Sequence, residues 1–209
     1  DYIVGNPVAK QVQEVPCDTS GAATLLSEQY FYDGAASNLT APTFGRLTSM
    51  KRYDGTGFIE MASMAYDGFG NVATETDALG NTTTHNYDAA LNLYRISTAN
   101  ALAHAVNTTW NTACQAPATV TDANSLVTTH TYDLFCREIS QSHTSGNYKN
   151  TSYVDLGNPA NQHIEITTPS PSGGDMSVRS YFDGFGQSYL TSTTGETSAA
   201  ADRIEVVQE

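Results

Sequence analysis

The chain has 209 residues, 39 % of them hydrophobic, and 22 acidic side chains against 9 basic ones leave a net charge of −13. That size is compatible with one domain and a sizeable core. The charge argues against a nucleic-acid partner, which needs a basic face, and against anionic membranes; no apolar run is long enough for this segment to insert into a membrane.

In chain order, residues 1–30 read as an N-terminal strand segment or edge cover. Tyr32-Asp33-Gly34 then opens a series of aromatic–Asp phrases. It continues with Tyr53-Asp54-Gly55, Tyr66-Asp67-Gly68-Phe69-Gly70-Asn71, Tyr87-Asp88, Tyr132-Asp133, Tyr153-Val154-Asp155 and Phe182-Asp183-Gly184-Phe185-Gly186-Gln187. Trp110-Asn111 stands where another copy is due. Counted from the aromatic, the steps are 21 residues from Tyr32 to Tyr53 and from Tyr66 to Tyr87, then 23, 22 and 21 to Trp110, Tyr132 and Tyr153. One short step of 13 precedes Tyr66, and one long step of 29 precedes Phe182. A period above 20 residues marks a repeat architecture.

A second turn phrase falls about halfway through a unit, at Asp77-Ala78-Leu79-Gly80-Asn81 and at Asp122-Ala123-Asn124-Ser125. Asx side chains bond their own downstream backbone, and glycine reaches positive φ without a Cβ clash. Asp33, Asp54, Asp67, Asp88, Asp133 and Asp183, with Gly68, Gly70, Gly184 and Gly186, are therefore read as structural turn residues. The runs between turns, such as Thr82–Tyr87 and Leu126–Tyr132, are short and rich in Thr, Val and aromatics, which is strand composition. One unit reads as strand, turn, strand, turn, and all Tyr–Asp corners are expected on one side of an antiparallel sheet. Thr82–Tyr87 shows no apolar face on either side, so stability is assigned to ladder hydrogen bonds and cross-strand pairs. A small core is expected around Phe58–Met64 and Ile204–Val207.

The stretch YDGFGNVATETDALGNTTTHNYD, from Tyr66 to Asp88, resembles the Rhs or YD repeat. The resemblance extends more loosely from Tyr32 to Gln187. Leu26–Gly34 and Val178–Gln187 are similar to the toxin-complex B/C, SpvB-type branch. Departures lie at Trp110-Asn111, at Cys136 where glycine is expected, and in the insertion containing Pro169, Pro171, Gly173 and Gly174. The resemblance implies an all-β fold: an antiparallel β-hairpin repeat sheet, curved or spiralling, with residues 31–187 as the repeat region and 188–209 as a C-terminal strand segment. It implies a non-enzymatic piece of a shell that encloses or presents a toxin polypeptide in a secreted or cell-surface bacterial protein. The implied partners are the rest of the shell, toxin-complex subunits and an encapsulated C-terminal toxin. The chain reads as an excised piece of such a shell, or as a short relative.

Two alternatives accompany that reading. In a carbohydrate- or protein-binding module, Trp110, Tyr66, Tyr87 and Tyr132 form an aromatic edge on which sugar rings stack. In a glycoside hydrolase, two carboxylates meet in a cleft about 5–9.5 Å apart. Against the second, the aspartates recur in every unit, whereas a catalytic pair breaks a repeat. No cofactor is called for. No metal is assigned, because Asp-Gly-x-Gly-Asn does not have the spacing of an EF-hand. Cys114 and Cys136 are 22 residues apart, one full repeat. Equivalent positions on next-but-one strands lie about 9.6 Å apart, too far for a disulfide unless a bulge intervenes, so these cysteines and Cys17 read as free or buried thiols. An open sheet leaves two edges, so the terminal segments are expected to cover them or the chain to self-associate.

Overall fold

A computed structural model describes residues 5–13, 24–171, 173–194 and 203–207. Every regular element among them is a β-strand. The chain divides into two compact units, residues 1–105 and 106–209. The first holds β1 (Ala9–Gln13), β2 (Thr24–Tyr32), β3 (Leu47–Tyr53), β4 (Phe58–Tyr66), β5 (Val72–Asp77), β6 (Thr82–Tyr87) and β7 (Arg95–Ala99). The second holds β8 (Ala105–Asn111), β9 (Ala116–Thr121), β10 (Val127–Tyr132), β11 (Glu138–His143), β12 (Tyr148–Val154), β13 (His163–Pro169), β14 (Asp175–Phe182), β15 (Ser188–Thr194) and β16 (Arg203–Val207). Within each unit every strand pairs antiparallel with the next strand in sequence. The all-β antiparallel hairpin fold thus stands as the sequence suggested.

The two faces of each sheet differ, which the Thr-rich strands alone did not reveal. In the first unit the register lines up Ser49, Ser63, Thr76 and Thr82 across β3 to β6. In the second it lines up Thr131, Ser140, Asn150, Thr167 and Ser177 across β10 to β14. Short hydroxyls on this face bond sideways, as Thr76 to Thr82 (2.9 Å), Thr109 to Thr119 (2.7 Å) and Ser140 to Asn150 (2.8 Å). The opposite face carries the repeat tyrosines and the larger polar groups. Glu28 accepts from Arg52 (2.8 Å) and from the Tyr30 hydroxyl (2.9 Å), and these two donors hold its carboxyl below the usual range. Glu138 accepts from Lys149 (2.9 Å) and lies 2.6 Å from His130 Nδ1.

The core is smaller than the composition allows, and it sits elsewhere than expected. Among the described residues only Phe31 and Tyr32 are buried hydrophobics. Phe58, Ile59, Ile204, Val206 and Val207 are exposed. Phe31 has the Lys51 ammonium 4.8 Å from its ring, and the Tyr32 hydroxyl donates to Pro7 O (2.8 Å).

Candidate functional site

The feature that repeats is the corner. In Tyr66–Val72, Asp67 N donates to Asn71 O (2.9 Å) and Gly70 N to Asp67 O (3.2 Å). Asp67 Oδ1 accepts from Phe69 N and Asn71 N (both 2.9 Å), and Oδ2 from Asn71 Nδ2 (3.0 Å). This is a type I turn closed by a left-handed residue and a bulge, with Gly70 at φ +97° and the register shifting at Ala65/Tyr66. Asp77, Asp122, Asp133 and Asp183 build the same turn with the same two backbone donors, at +2 and +4. Asn100 does so with its amide oxygen.

Three corners use aspartate differently. Asp33, itself at φ +57°, gathers Thr43 N, Phe44 N, Gly45 N and Arg46 N around its carboxylate and so closes a long loop. Asp88 holds Leu91 N, Leu93 N and Tyr94 N. Asp54 caps a two-residue turn through Thr56 N and Gly57 N, with Gly55 at φ +103°. Asp54 joins β3 to β4, on the opposite side from Asp33, Asp67 and Asp88. The expected single row therefore has one exception, and it explains the 13-residue step: Tyr53 and Tyr66 end consecutive strands.

These contacts fix the charge of the corners. At Asp33, Asp67 and Asp133 partial burial pushes the carboxyl up, but the donors outweigh it and the net direction is down. Asp54 is lowered first by Thr56 N, Asp77 by the Asn81 side chain, and Asp88 by Tyr94 N. Much of the chain's acidity is thus turn chemistry.

Successive corners of one row are tied together. The Tyr66 hydroxyl donates to Leu47 O (2.7 Å), beside the Asp33 loop, and Tyr87 to Val72 O (3.2 Å), beside the Asp67 turn. Tyr132 reaches Pro117 O (2.8 Å), beside the Asn111 turn. Asn71 Nδ2 also donates to Asn92 O (2.8 Å) in the Asp88 loop. The Arg137 guanidinium lies 3.9 Å from the Tyr153 ring centroid, and Gln162 joins Gly157 N to the carbonyls of Phe182 and Asp183. Cys114 and Cys136 are joined by a disulfide, with Cα atoms 5.2 Å apart. The expectation of free thiols fails here because both cysteines lie in turns, where the bulged loops lean together, and the strand spacing does not apply. Cys17 lies outside the described residues.

The predicted aromatic edge is only partly accessible. Tyr66, Tyr87, Tyr132 and Trp110 are half-buried, and the three hydroxyls are committed to neighbouring corners. The most exposed aromatics are loop and turn tips: Phe44 (73 %), Phe69 (70 %), Phe135 (80 %) and Phe185 (93 %). For Phe69, Phe135 and Phe185 the signal was the Phe of Asp-x-Phe, an apolar residue at the exposed point of a turn. Gly70 and Gly186 stand at positive φ, whereas Gly68 and Gly184 do not, and a Cβ at 68 would meet nothing within 4 Å. Among the described residues no three His, Cys, Asp or Glu side chains gather in a way that would hold a metal ion.

Residues 66–101 match the family model of the RHS repeat. The chain carries an RHS repeat. The matched span runs from the Asp67 corner through those of Asp77 and Asp88 to Asn100. The crystal structure of TcdB2–TccC3 is similar to this chain at TM-score 0.63 and 13 % identity, over 84 % of this chain and 13 % of that one. The Photorhabdus luminescens Tc holotoxin pore gives TM-score 0.42 and 11 % identity, over 89 % of this chain and 11 % of that one. The first likeness is one of fold, and this chain spans a small part of that protein's length. No curated protein matches the chain.

Proposed function

We propose that this RHS-repeat chain is a non-enzymatic wall segment of a toxin-complex-type shell, belonging to a secreted or cell-surface bacterial protein, that encloses or presents a polypeptide. One observation carries the reading: successive turns are tied by hydroxyls, amides, a cation–π contact and a disulfide, so the sheet is held without a dense core. A wall facing water or an unfolded guest requires that. The carpet of Ser and Thr on one face suits an unfolded chain, which it can meet without an apolar grip. Asp33, Asp54, Asp67, Asp77, Asp88 and Asp133 serve poorly as catalytic acids, because their donors hold them below the ordinary value and a general acid needs a raised one. In the assembly, residues 1–30 and 188–209 would meet neighbouring strands.

The test is protease protection of the natural gene product. A guest fragment that survives digestion and becomes cleavable only after denaturation supports the reading. A product with no protected fragment, whose wall is digested as fast as its remainder, refutes it. A second reading, display of a binding surface, draws on the exposed tips Phe69, Phe135 and Phe185. It predicts that alanine at these three positions abolishes glycan or protein capture while leaving the strand signal in circular dichroism intact.

A further inference from the structure

The Cys114–Cys136 bond joins two consecutive corners of the second unit, and its two residues differ in exposure. Cys136 is exposed, at the left-handed position of the Asp133 turn (φ +59°). Cys114 is half-buried, and its N–H donates to Asn111 Oδ1 (3.1 Å). The acid of the exposed turn, Asp133, is matched by the Arg137 guanidinium at 2.6 Å, so an approaching anion meets a compensated charge. We propose that Cys136 Sγ is the point of attack for an external small thiol of the glutathione class, and that this corner pair is a clasp such a thiol opens while the surrounding strands stay paired.

The chemistry balances as ordinary exchange. A thiolate attacks Cys136 Sγ, the S–S bond breaks, and the electron pair leaves on Cys114 Sγ, giving a mixed disulfide at 136 and a thiolate at 114. A second external thiolate attacks the added sulfur and departs as the oxidised dimer, and both cysteine thiolates take protons from water. Two external thiols are oxidised and one protein disulfide is reduced. Access decides which sulfur is struck, and access favours Cys136.

The opening is local because other ties bridge the same corners. The Tyr132 hydroxyl still donates to Pro117 O (2.8 Å), and β10 remains paired with β9 from Val127 to Thr129 and with β11 from Thr128 to Tyr132. Asp133 and Asn111 keep the backbone N–H groups of their own turns. What is lost is the covalent link between the turns.

The experiment uses the native oxidised chain, any free thiol having been alkylated beforehand. It is exposed to reduced glutathione, quenched with acid at intervals and mapped by peptide mass spectrometry. Amide hydrogen exchange is followed in parallel. The expected result is a glutathione adduct on Cys136 exceeding that on Cys114 by about tenfold or more. Exchange should accelerate by about tenfold or more in residues 112–115 and 134–137, and stay unchanged in β9, β10 and β11. Adducts on Cys114, adducts on both sulfurs equally, an absence of adducts until denaturant is added, or loss of protection throughout those strands would each overturn the proposal.

Discussion

The Asp67 corner of the first unit and the Asp133 corner of the second are the same turn with different fastenings. Both aspartates accept from backbone N–H groups at +2 and +4, and both turns close through a left-handed residue. At the first, that residue is Gly70, and Asn71 reaches forward to Asn92 O. At the second it is Cys136, which reaches back by a covalent bond to Cys114, while Arg137 bonds Asp133 and stacks on Tyr153. The turn is set by the aspartate and one unusual φ; the tie to the next corner is free to vary. Glycine relieves strain at that position, and a side chain there accepts strain in exchange for a contact. Ser125 and Ala103 stand at the same step of their turns, with φ +64° and +61°.

The largest effect should come from a change that strikes both corners at once. Asp33, Asp54, Asp67, Asp77, Asp88 and Asp133 all have folded pKa values lowered from the ordinary range. A group lowered on folding contributes stability that is fully present above its unfolded value of about 3.9 and is lost as pH falls through the folded value. The melting temperature should therefore hold from pH 7 down to about 5 and fall steeply below about 4. A melting temperature that stays constant down to about pH 2.5 would show that these carboxylates do not hold the turns.

Next in size is a change that strikes only the Asp133 corner. Cys136→Ser removes the cross-link and leaves a side chain at φ +59°. Closing a loop of this length is worth about 3 kcal/mol in the chain-entropy account. Cys136→Gly loses the same link but relieves the left-handed strain, so it should be the milder substitution by about 1 kcal/mol. Urea unfolding of the two variants checks the order; equal midpoints would mean that the strain at 136 is negligible.

The comparison also shows what the sequence could and could not tell. Tyr66-Asp67-Gly68-Phe69-Gly70-Asn71 revealed the turn because its chemistry is local: the aspartate, its donors and the left-handed glycine lie within five residues. The hydrogen-bonded ties were hidden because each reaches a backbone carbonyl 15 to 21 residues away, such as Val72 O or Pro117 O, which carries no residue code. The disulfide was missed for a related reason, since a strand spacing was applied to residues in bulged turns. The difference between the two faces was hidden too: it depends on register, and bulges such as those at Tyr66, Tyr132 and Phe182 shift the alternation.

The smallest effects separate the two glycines of one phrase. Gly70→Ala forces a Cβ into φ +97° and places it 2.9 Å from Arg46 Nη2, the far end of a flexible side chain. The contact can yield but the backbone cannot, so the loss should be about 1–2 kcal/mol. Gly68→Ala puts a methyl at a position without positive φ and with open space around it. It should change stability by no more than about 0.5 kcal/mol, and a slight gain is expected because the unfolded chain loses freedom. If the two variants melt alike, the left-handed step is not what fixes the corner. If Gly68→Ala is the worse of the two, the first glycine has a role outside the turn, and its exposed place beside Phe69 is where a partner would have to be sought.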